Sequence, residues 1–335
     1  MTQSPMVTHE PVMAAEVVTV LDPARGGLFV DCTVGGGGHA RALLEGGADR
    51  VLGLDRDGEA LAAAARTLTS WTDRIELVHS DFRNLDAALA ERGIGDIDGG
   101  ALADLGISSL QLDGAGRGFS FRRDEPLDMR MDRSTGPTAA DLLRDTPESE
   151  LADVIHQYGE DRYARRISRR LVASRARAPL TSTGQLAEAV RRAVPYRGRR
   201  RIHPATRTFQ ALRIWVNREL DGLDAWLLAL CRRLRTGARL AVITFHSLED
   251  RIVKRALRRF EREAGAAIRV LTRRPLRPSA GEVARNPRAR SAKLRAAQRL
   301  ACPPRISRRS FTRRLVTPRS CASWTGFDNA SCGGR

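Results

Sequence analysis

Lysine is nearly missing from this chain: Lys254 and Lys293 are the only two among 57 basic residues, so its positive charge is arginine charge. Genome composition accounts for a choice of Arg over Lys, but not for basic residues outnumbering the 39 acidic ones by 18. Cysteine is sparse and scattered. Cys32, Cys231, Cys302, Cys321 and Cys332 are odd in number, widely spaced and without a C-x-x-C pair, which fits neither a disulfide framework nor a zinc site, so free thiols are expected. No apolar run reaches the roughly 18 residues of a membrane-spanning helix. No basic residue precedes Arg25, so no signal peptide is expected and a cytoplasmic protein is. There is no H-E-x-x-H for zinc chemistry, no third residue to complete a hydrolytic triad, and no internal repeat. What is present, 42% hydrophobic and 29% charged residues over 335 positions, is the composition of a globular protein of about two domains.

The charge is unevenly spread. Residues 1–110 carry a net −9, residues 111–215 a net +8 and residues 216–335 a net +19. An acidic first third followed by a basic remainder points to a polyanionic partner rather than to a uniformly solvated surface.

From Leu28 to Asp104 short apolar runs alternate with helical stretches, the pattern of a parallel sheet flanked by helices. Strands are expected at Leu28–Cys32, Arg50–Leu54, Ile75–His79 and Gly99–Asp104, with helices near His39–Glu45, Asp57–Thr69 and Asn84–Arg92. Ligands of open α/β sheets sit beyond the carboxyl ends of the strands, so Asp31, Asp55, Asp81 and Asp104 fall near one rim. From about Ser108 to Arg201 the chain reads as a Gly-rich turn through Gly118 followed by helices over Pro137–Arg144, Pro147–Tyr158, Glu160–Arg175 and Thr183–Val194, with no convincing strand. The strand signal returns at Leu240–Phe245. A helix from Leu248 to about Arg262 follows, then strands near Ile268–Thr272 and Ala292–Ala297. The expected fold is α/β: a discontinuous sheet domain from residues 1–107 and 216–300, a helical insert at 108–215, and a disordered basic tail at 301–335.

The run Asp31-Cys32-Thr33-Val34-Gly35-Gly36-Gly37-Gly38-His39 follows a strand and opens a helix, so its glycines allow a tight turn and close approach of backbone N–H groups to a ligand. Gly35, Gly37 and Ala40 fit G-x-G-x-x-A, and Asp55 ends the second strand, where a carboxylate can accept two ribose hydroxyls. On residues alone, the ligand is a nicotinamide dinucleotide or S-adenosylmethionine.

Five blocks then recur in one order: D-x-T-x-G-x-G-G-H from Asp31, GLDRD from Gly53, DLGISS…QLD…RGFSF…PLDMRMD from Asp104, HPATRTFQALRIWVNREL from His203, and FHSLEDRIVK from Phe245. Over residues 9–299 the chain resembles the ribosomal RNA small-subunit methyltransferase H family, also called MraW-like, which methylates cytidine N4 in 16S rRNA. The resemblance implies a class I, Rossmann-like methyltransferase core with an inserted helical domain for substrate recognition, S-adenosylmethionine as donor, and small-subunit rRNA or the assembled subunit as partner. It further implies that Gly37, Gly38 and His39 contact the donor, Asp55 its ribose, Phe82 its adenine, and Asp104 and Gln111 the region of its methionine moiety. No metal is expected. An NAD-dependent oxidoreductase and a non-catalytic ribosome-assembly RNA-binding protein stand as the competing readings.

A cytosine amine is a poor nucleophile because its lone pair is delocalised into the ring, so positioning must supply much of the catalysis. Asp104 ends the fourth strand and is expected to accept a hydrogen bond from that amine, or alternatively to cap the following loop. Asp104-Leu105-Gly106-Ile107 lacks the prolines and the aromatic of amino-directed DNA methyltransferases, so Phe119 or Phe121 is either a base-stacking face or a buried packing pair. Leu110 stands where the family is expected to carry Pro. Asp81 reads as a helix N-cap, as do Ser247 and Asp250 by their S-x-x-D spacing. His246 is either an RNA contact or a structural histidine. Trp215 and Trp226 read as packing residues. RNA contacts are expected from Arg165 and Arg169, on a helix whose Arg162, Arg166 and Arg170 share a basic face, and from the loop cluster Arg199, Arg200 and Arg201.

Overall fold

The computed structural model describes residues 11–195, 203–263 and 268–301. In chain order these form α1 (Ala14–Leu21), β1 (Leu28–Asp31), α2 (Gly38–Glu45), β2 (Arg50–Asp55), α3 (Gly58–Thr67), β3 (Ile75–His79), α4 (Leu85–Ala90), β4 (Gly100–Asp104), α5 (Ser109–Asp113), α6 (Ala139–Asp145), α7 (Glu148–Gly159), α8 (Ala164–Arg175), α9 (Thr183–Ala193), α10 (Ala205–Asn217), α11 (Leu223–Arg233), β5 (Arg239–Thr244), α12 (Ser247–Arg262), β6 (Ile268–Val270), α13 (Ala280–Arg285) and β7 (Lys293–Arg299). All seven expected strands are present, with ends displaced by up to two residues. Helices α1, α5, α10, α11 and α13 have no counterpart in the pattern of the sequence.

The strands pair in the order β3-β2-β1-β4-β5-β7-β6. The first five are parallel, and β7 runs antiparallel to both its neighbours. Val30, Leu52, Leu54, Ala101, Leu102 and Leu240 through Ile243 are almost wholly enclosed. These continuous apolar runs are those of strands covered on both faces, here in a Rossmann-like, doubly wound sheet. One face packs on α11 and α12 through Trp226, Leu227, Val253 and Phe260. The other packs on α1 and α2 through Met13, Val17, Leu21 and Leu43. Between β4 and β5 the described residues contain no strand. Phe119, Leu127 and Met129 there join Leu143, Leu151, Ile167, Leu186 and Phe209 from helices α6 to α10 in a core of their own, with Trp215 packed against it. The described residues lie in one compact unit ending at Ala301, so the tail expected from residue 301 falls, beyond that residue, outside them.

One buried junction joins the segment after β4 to the sheet. Asp57 caps α3, its Oδ1 accepting from Glu59 N at 3.0 Å. Its Oδ2 accepts from Gln111 Nε2 at 2.9 Å and from Arg117 Nη2 at 2.8 Å. The Arg117 guanidinium, 2% exposed, also donates to Glu59 Oε2 and to the Met131 carbonyl, each at 2.9 Å. Asn217 finishes the tie at the end of α10: its Oδ1 accepts from Met131 N and its Nδ2 donates to the Met129 carbonyl, both at 2.7 Å. Truncating one member of a buried ion pair strands the other charge. Arg117→Met is therefore expected to lower the unfolding free energy by about 3–5 kcal/mol in a urea titration. Adding Asp57→Asn to that variant should cost less than the sum of the two single changes, and strict additivity would show that the pair is not coupled.

Candidate functional site

Strands β1 and β4 are neighbours from which the chain winds in opposite directions, and the crevice at such a switch point is where doubly wound sheets bind ligands. A cleft of about 470 Å³ opens there, beyond the carboxyl ends of the strands. Its floor is the turn from β1 into α2. Gly35 has φ +53° and Gly37 φ +85°, which bend the chain so that Gly35, Gly36 and Gly38 face the cleft. Gly37 itself faces away: a Cβ there would stand 3.1 Å from Leu68 and 3.3 Å from Ala64 on the α3 side, so its part is to let α2 and α3 approach.

Asp55 lies on the cleft wall with one backbone donor on each oxygen, Gly35 N on Oδ2 at 2.8 Å and Asp57 N on Oδ1 at 2.9 Å. Each oxygen keeps a lone pair for a ligand hydroxyl. Burial pushes the Asp55 carboxyl up to about 6, against these two hydrogen bonds. Phe82 also lines the cleft, but its ring is shared with the core, tilted against Trp226 at 4.6 Å between centroids. Gln111 reaches the wall with its Oε1 closing a capping box on Ser108 N and one amide hydrogen donated to Asp57. These two bonds hold α5 in place. Leu110, 41% exposed, projects into the same opening, at a position compatible with an intact first turn of α5.

At the head of the cleft Asp104 ends β4. Its backbone N donates to Thr33 Oγ1 at 2.6 Å, and its side chain makes no cap, which removes the capping alternative. The side chain is 24% exposed, with Oδ1 buried and unpartnered. Oδ2 lies 3.5 Å from His39 Nε2, an ion-pair separation rather than a good hydrogen bond. Burial disfavours the His39 imidazolium, but Asp104, Asp31 and Glu282 outweigh it and raise its pKa above the ordinary value. Asp31 is fully buried, with only Thr33 N on Oδ1 and nothing on Oδ2. Burial pushes its carboxyl up to about 7, helped by Asp104 and Asp55 and opposed by His39 and the Thr33 hydrogen bond. Of the four strand-end acids, then, Asp55 and Asp104 face the cleft and Asp31 lies beneath it. Asp81 is instead locked to Arg83 at 2.8 and 2.6 Å and caps the turn after β3, as its sequence position suggested.

Other assignments change. Phe119 is buried in the helical core. Phe121 packs on His203 and Phe209 at 4.6 and 4.9 Å, so the two are packing residues and neither lines the cleft. Besides Phe82, the aromatic on the wall is Phe245, 3.5 Å from where a Cβ on Gly106 would stand. Ser247 and Asp250 do not cap α12. His246 is the N-cap and Glu249 the reciprocal partner, because H-x-x-E overlaps S-x-x-D one residue earlier. His246 is thereby structural, Ser247 Oγ donates to Glu160 at 2.5 Å, and Asp250 pairs with Lys293 and Arg295. Glu219, His246 and Glu249 cluster within 4.8 Å. Their carboxylates are engaged, Glu219 by Arg213 at 2.8 Å on each oxygen and Glu249 by the N–H groups of Phe245 and His246. Arg165 and Arg169 lie on the exposed face of α8, Arg169 3.7 Å from Glu148. Arg199, Arg200 and Arg201 lie outside the described residues.

A family model described as the MraW methylase family matches residues 6–300. The chain is 52% identical over 310 residues to a ribosomal RNA small subunit methyltransferase H from Syntrophotalea carbinolica, covering 87% of this chain and 98% of that one. A protein of the same name from Nitrobacter hamburgensis is 50% identical over 315 residues, 90% of this chain and 94% of its own. Among solved structures, an rRNA methylase from Streptococcus thermophilus is similar over 85% of this chain and 96% of that one, at 13% identity and a TM-score of 0.38.

The buried acid below the cleft has a measurable consequence. Asp31 binds its proton more tightly folded, at about 7, than unfolded, at 3.8, so the folded state loses stability as pH rises through that window. Asp31→Asn keeps the acceptor for Thr33 N and removes the buried charge. Relative to wild type it should gain nothing near pH 4 and up to about 4 kcal/mol near pH 8, at 1.36 kcal/mol per unit. Denaturant unfolding across pH reads this, and a pH-independent difference would mean that Asp31 does not titrate in the fold.

Proposed function

The chain belongs to the MraW methylase family, and from that premise and the geometry of the cleft we propose that it transfers a methyl group from S-adenosylmethionine to the exocyclic N4 of a cytidine in small-subunit ribosomal RNA. The observation that carries this reading is the pair of strand-end carboxylates in one cleft: Asp55 beside the Gly35 turn and Asp104 at the head, with orphaned acceptors on Asp31 and Asp104 beside His39. The residues present fit the donor. Asp55 has the lone pairs for two ribose hydroxyls, Phe82 offers a ring edge for the adenine, and the acids around Asp104 favour a cationic methionine moiety. When bound, the donor supplies a methyl group on a positively charged sulfur. An oxidoreductase reading explains the glycines and Asp55 but not the family match or the basic excess.

Asp104 accepts from the target amine and aligns it, while His39 holds the carboxylate from the side and fixes its orientation. Asp104 acts as an orienting acceptor and not as a strong base. The junction through Asp57, Arg117 and Gln111 keeps the wall of α5 in register with that acceptor, and the helical segment at 108–215 serves recognition of the RNA, with Arg165, Arg169 and the cluster at Arg199, Arg200 and Arg201 as its phosphate contacts.

Labelled methyl transfer to small ribosomal subunits and to naked small-subunit rRNA, followed by nucleoside analysis, is expected to give N4-methylcytidine. Methylation only at C5 or on ribose would refute the site of transfer, and no incorporation would leave a non-catalytic binder. Asp55→Ala should weaken donor binding in calorimetry by about 1.5–3 kcal/mol for each charge-assisted hydrogen bond lost, with the fold retained. Wild-type donor affinity should rise as pH increases through about 6, where Asp55 ionises and becomes the better acceptor. The part of that dependence centred near 6 should be lost in Asp55→Asn.

A further inference from the structure

An RNA whose base enters the cleft must leave it as a polyanion, and the two sides of the rim differ in what they offer. On the β3 side the two arginines beside Asp81 are spent, Arg83 bonded to Asp81 and to the carbonyl of Arg218, and Arg56 to the carbonyl of Asn217 with Asp81 at 3.5 Å, which leaves the exposed Arg66 of α3 as a single cation on that wall among the described residues. On the opposite side, residues 268–301 carry ten basic residues and one acidic residue, Glu282, which is buried and accepts from Met13 N at 2.7 Å. Several of those cations have partners: Arg288 holds Asp113 at 2.6 and 3.0 Å, and Lys293 and Arg295 hold Asp250. Arg273, Arg274, Arg277 and Arg290 are exposed and have no carboxylate partner among the described residues.

Sheet register fixes where these four stand. Asp104 is paired with Ile243, Ile243 with Leu294, and Leu294 with Leu276 by an isolated bridge. The segment carrying Arg273, Arg274 and Arg277 is therefore level with the head of the cleft and three strand spacings away, roughly 14 Å at about 4.8 Å each. Arg290 lies two residues from Arg288, which lines the cleft itself. Leu271 and Leu276, each 39% exposed, lie in sequence among these guanidiniums.

Resting on the function proposed above, we infer that Arg273, Arg274, Arg277 and Arg290 form the track that holds the phosphate backbone of the RNA strand entering the cleft. Guanidinium groups free of carboxylates suit phosphate oxygens, which they bind in two-bonded fashion. The adjacent exposed leucines offer apolar contact to unstacked bases. Its level with Asp104 ties the track to the site of transfer rather than to a remote basic face.

The test compares the wild-type full-length chain with Arg273→Ala/Arg274→Ala/Arg277→Ala and with the same three positions changed to Lys. Filter binding of naked small-subunit rRNA and of assembled small subunits, across a salt series, reads the surface. Methyl transfer by the wild type reads the function separately. The alanine variant is expected to lose about 2 units of slope magnitude in the log–log plot, at roughly 0.7 for each single-strand phosphate contact, and on the order of 10-fold in rRNA affinity, with donor affinity unchanged. The lysine variant should recover most of the slope. Equal slopes for wild type and alanine variant would overturn the track. Weaker binding to assembled subunits with unchanged binding to naked rRNA would overturn it in favour of a ribosomal protein surface. Wild type that binds rRNA through these arginines but transfers no methyl would refute the proposed function and leave the track standing.

Discussion

The ion pair between Asp57 and Arg117 is the constraint from which the cleft follows. Neither residue is accessible to water, so each depends on the other and on the fixed amide and carbonyls around them for compensation. Asp57 also caps α3, and Arg117 also takes the Met131 carbonyl, so a single joint sets the start of a helix in the sheet layer and the path of the loop beyond α5. Gln111 and Asn217 extend it to α5 and α10. A cleft between two separately built cores needs such a directional fastening, because apolar packing alone lets layers slide while charge-assisted hydrogen bonds do not.

The chain as a whole is strongly basic, yet its cleft collects carboxylates. That opposition is workable because range differs: summed surface charge steers a polyanion over a Debye length of about 8–10 Å, whereas Asp31, Asp55 and Asp104 act over hydrogen-bonding distance on whatever is inside. Burying acids at the ends of adjacent strands has a cost, expressed in the raised pKa values of Asp31 and Asp55, and a partial remedy in His39, whose charged form Asp104 and Asp31 favour.

How much of this was legible in the sequence follows from the range of each interaction. Strands covered on both faces write themselves as apolar runs, and acids that close such runs mark the rim, so the sheet and Asp55 and Asp104 were readable from local pattern. The Asp57 to Arg117 contact spans 60 residues and has no local signature. His246 was obscured by ambiguity rather than distance, since H-x-x-E and S-x-x-D overlap in the same turn and only geometry decides which one caps. Phe119 and Phe121 read equally as a stacking face or a packing pair because alternation cannot tell a cleft from a core. The chain was expected to need an aromatic near Asp104. Phe245 stands there instead, brought from β5 by strand pairing across some 140 positions.

The short β6, only three residues long, forms the last edge of the sheet, with its Val270 N–H taken by Glu261 at 2.8 Å, Arg269 exposed on it, and Arg273, Arg274 and Arg277 continuing alongside β7. An unpaired edge is a template on which another chain can add a strand, and proteins blunt it with short strands and charged side chains. Repulsion between arginine rows on two copies opposes that addition, so the same residues govern the solubility of the protein before any nucleic acid arrives. Neutralising them leaves the exposed Leu271 and Leu276 on an edge that no longer repels its own kind, and colloidal stability then depends on whatever polyanion covers it.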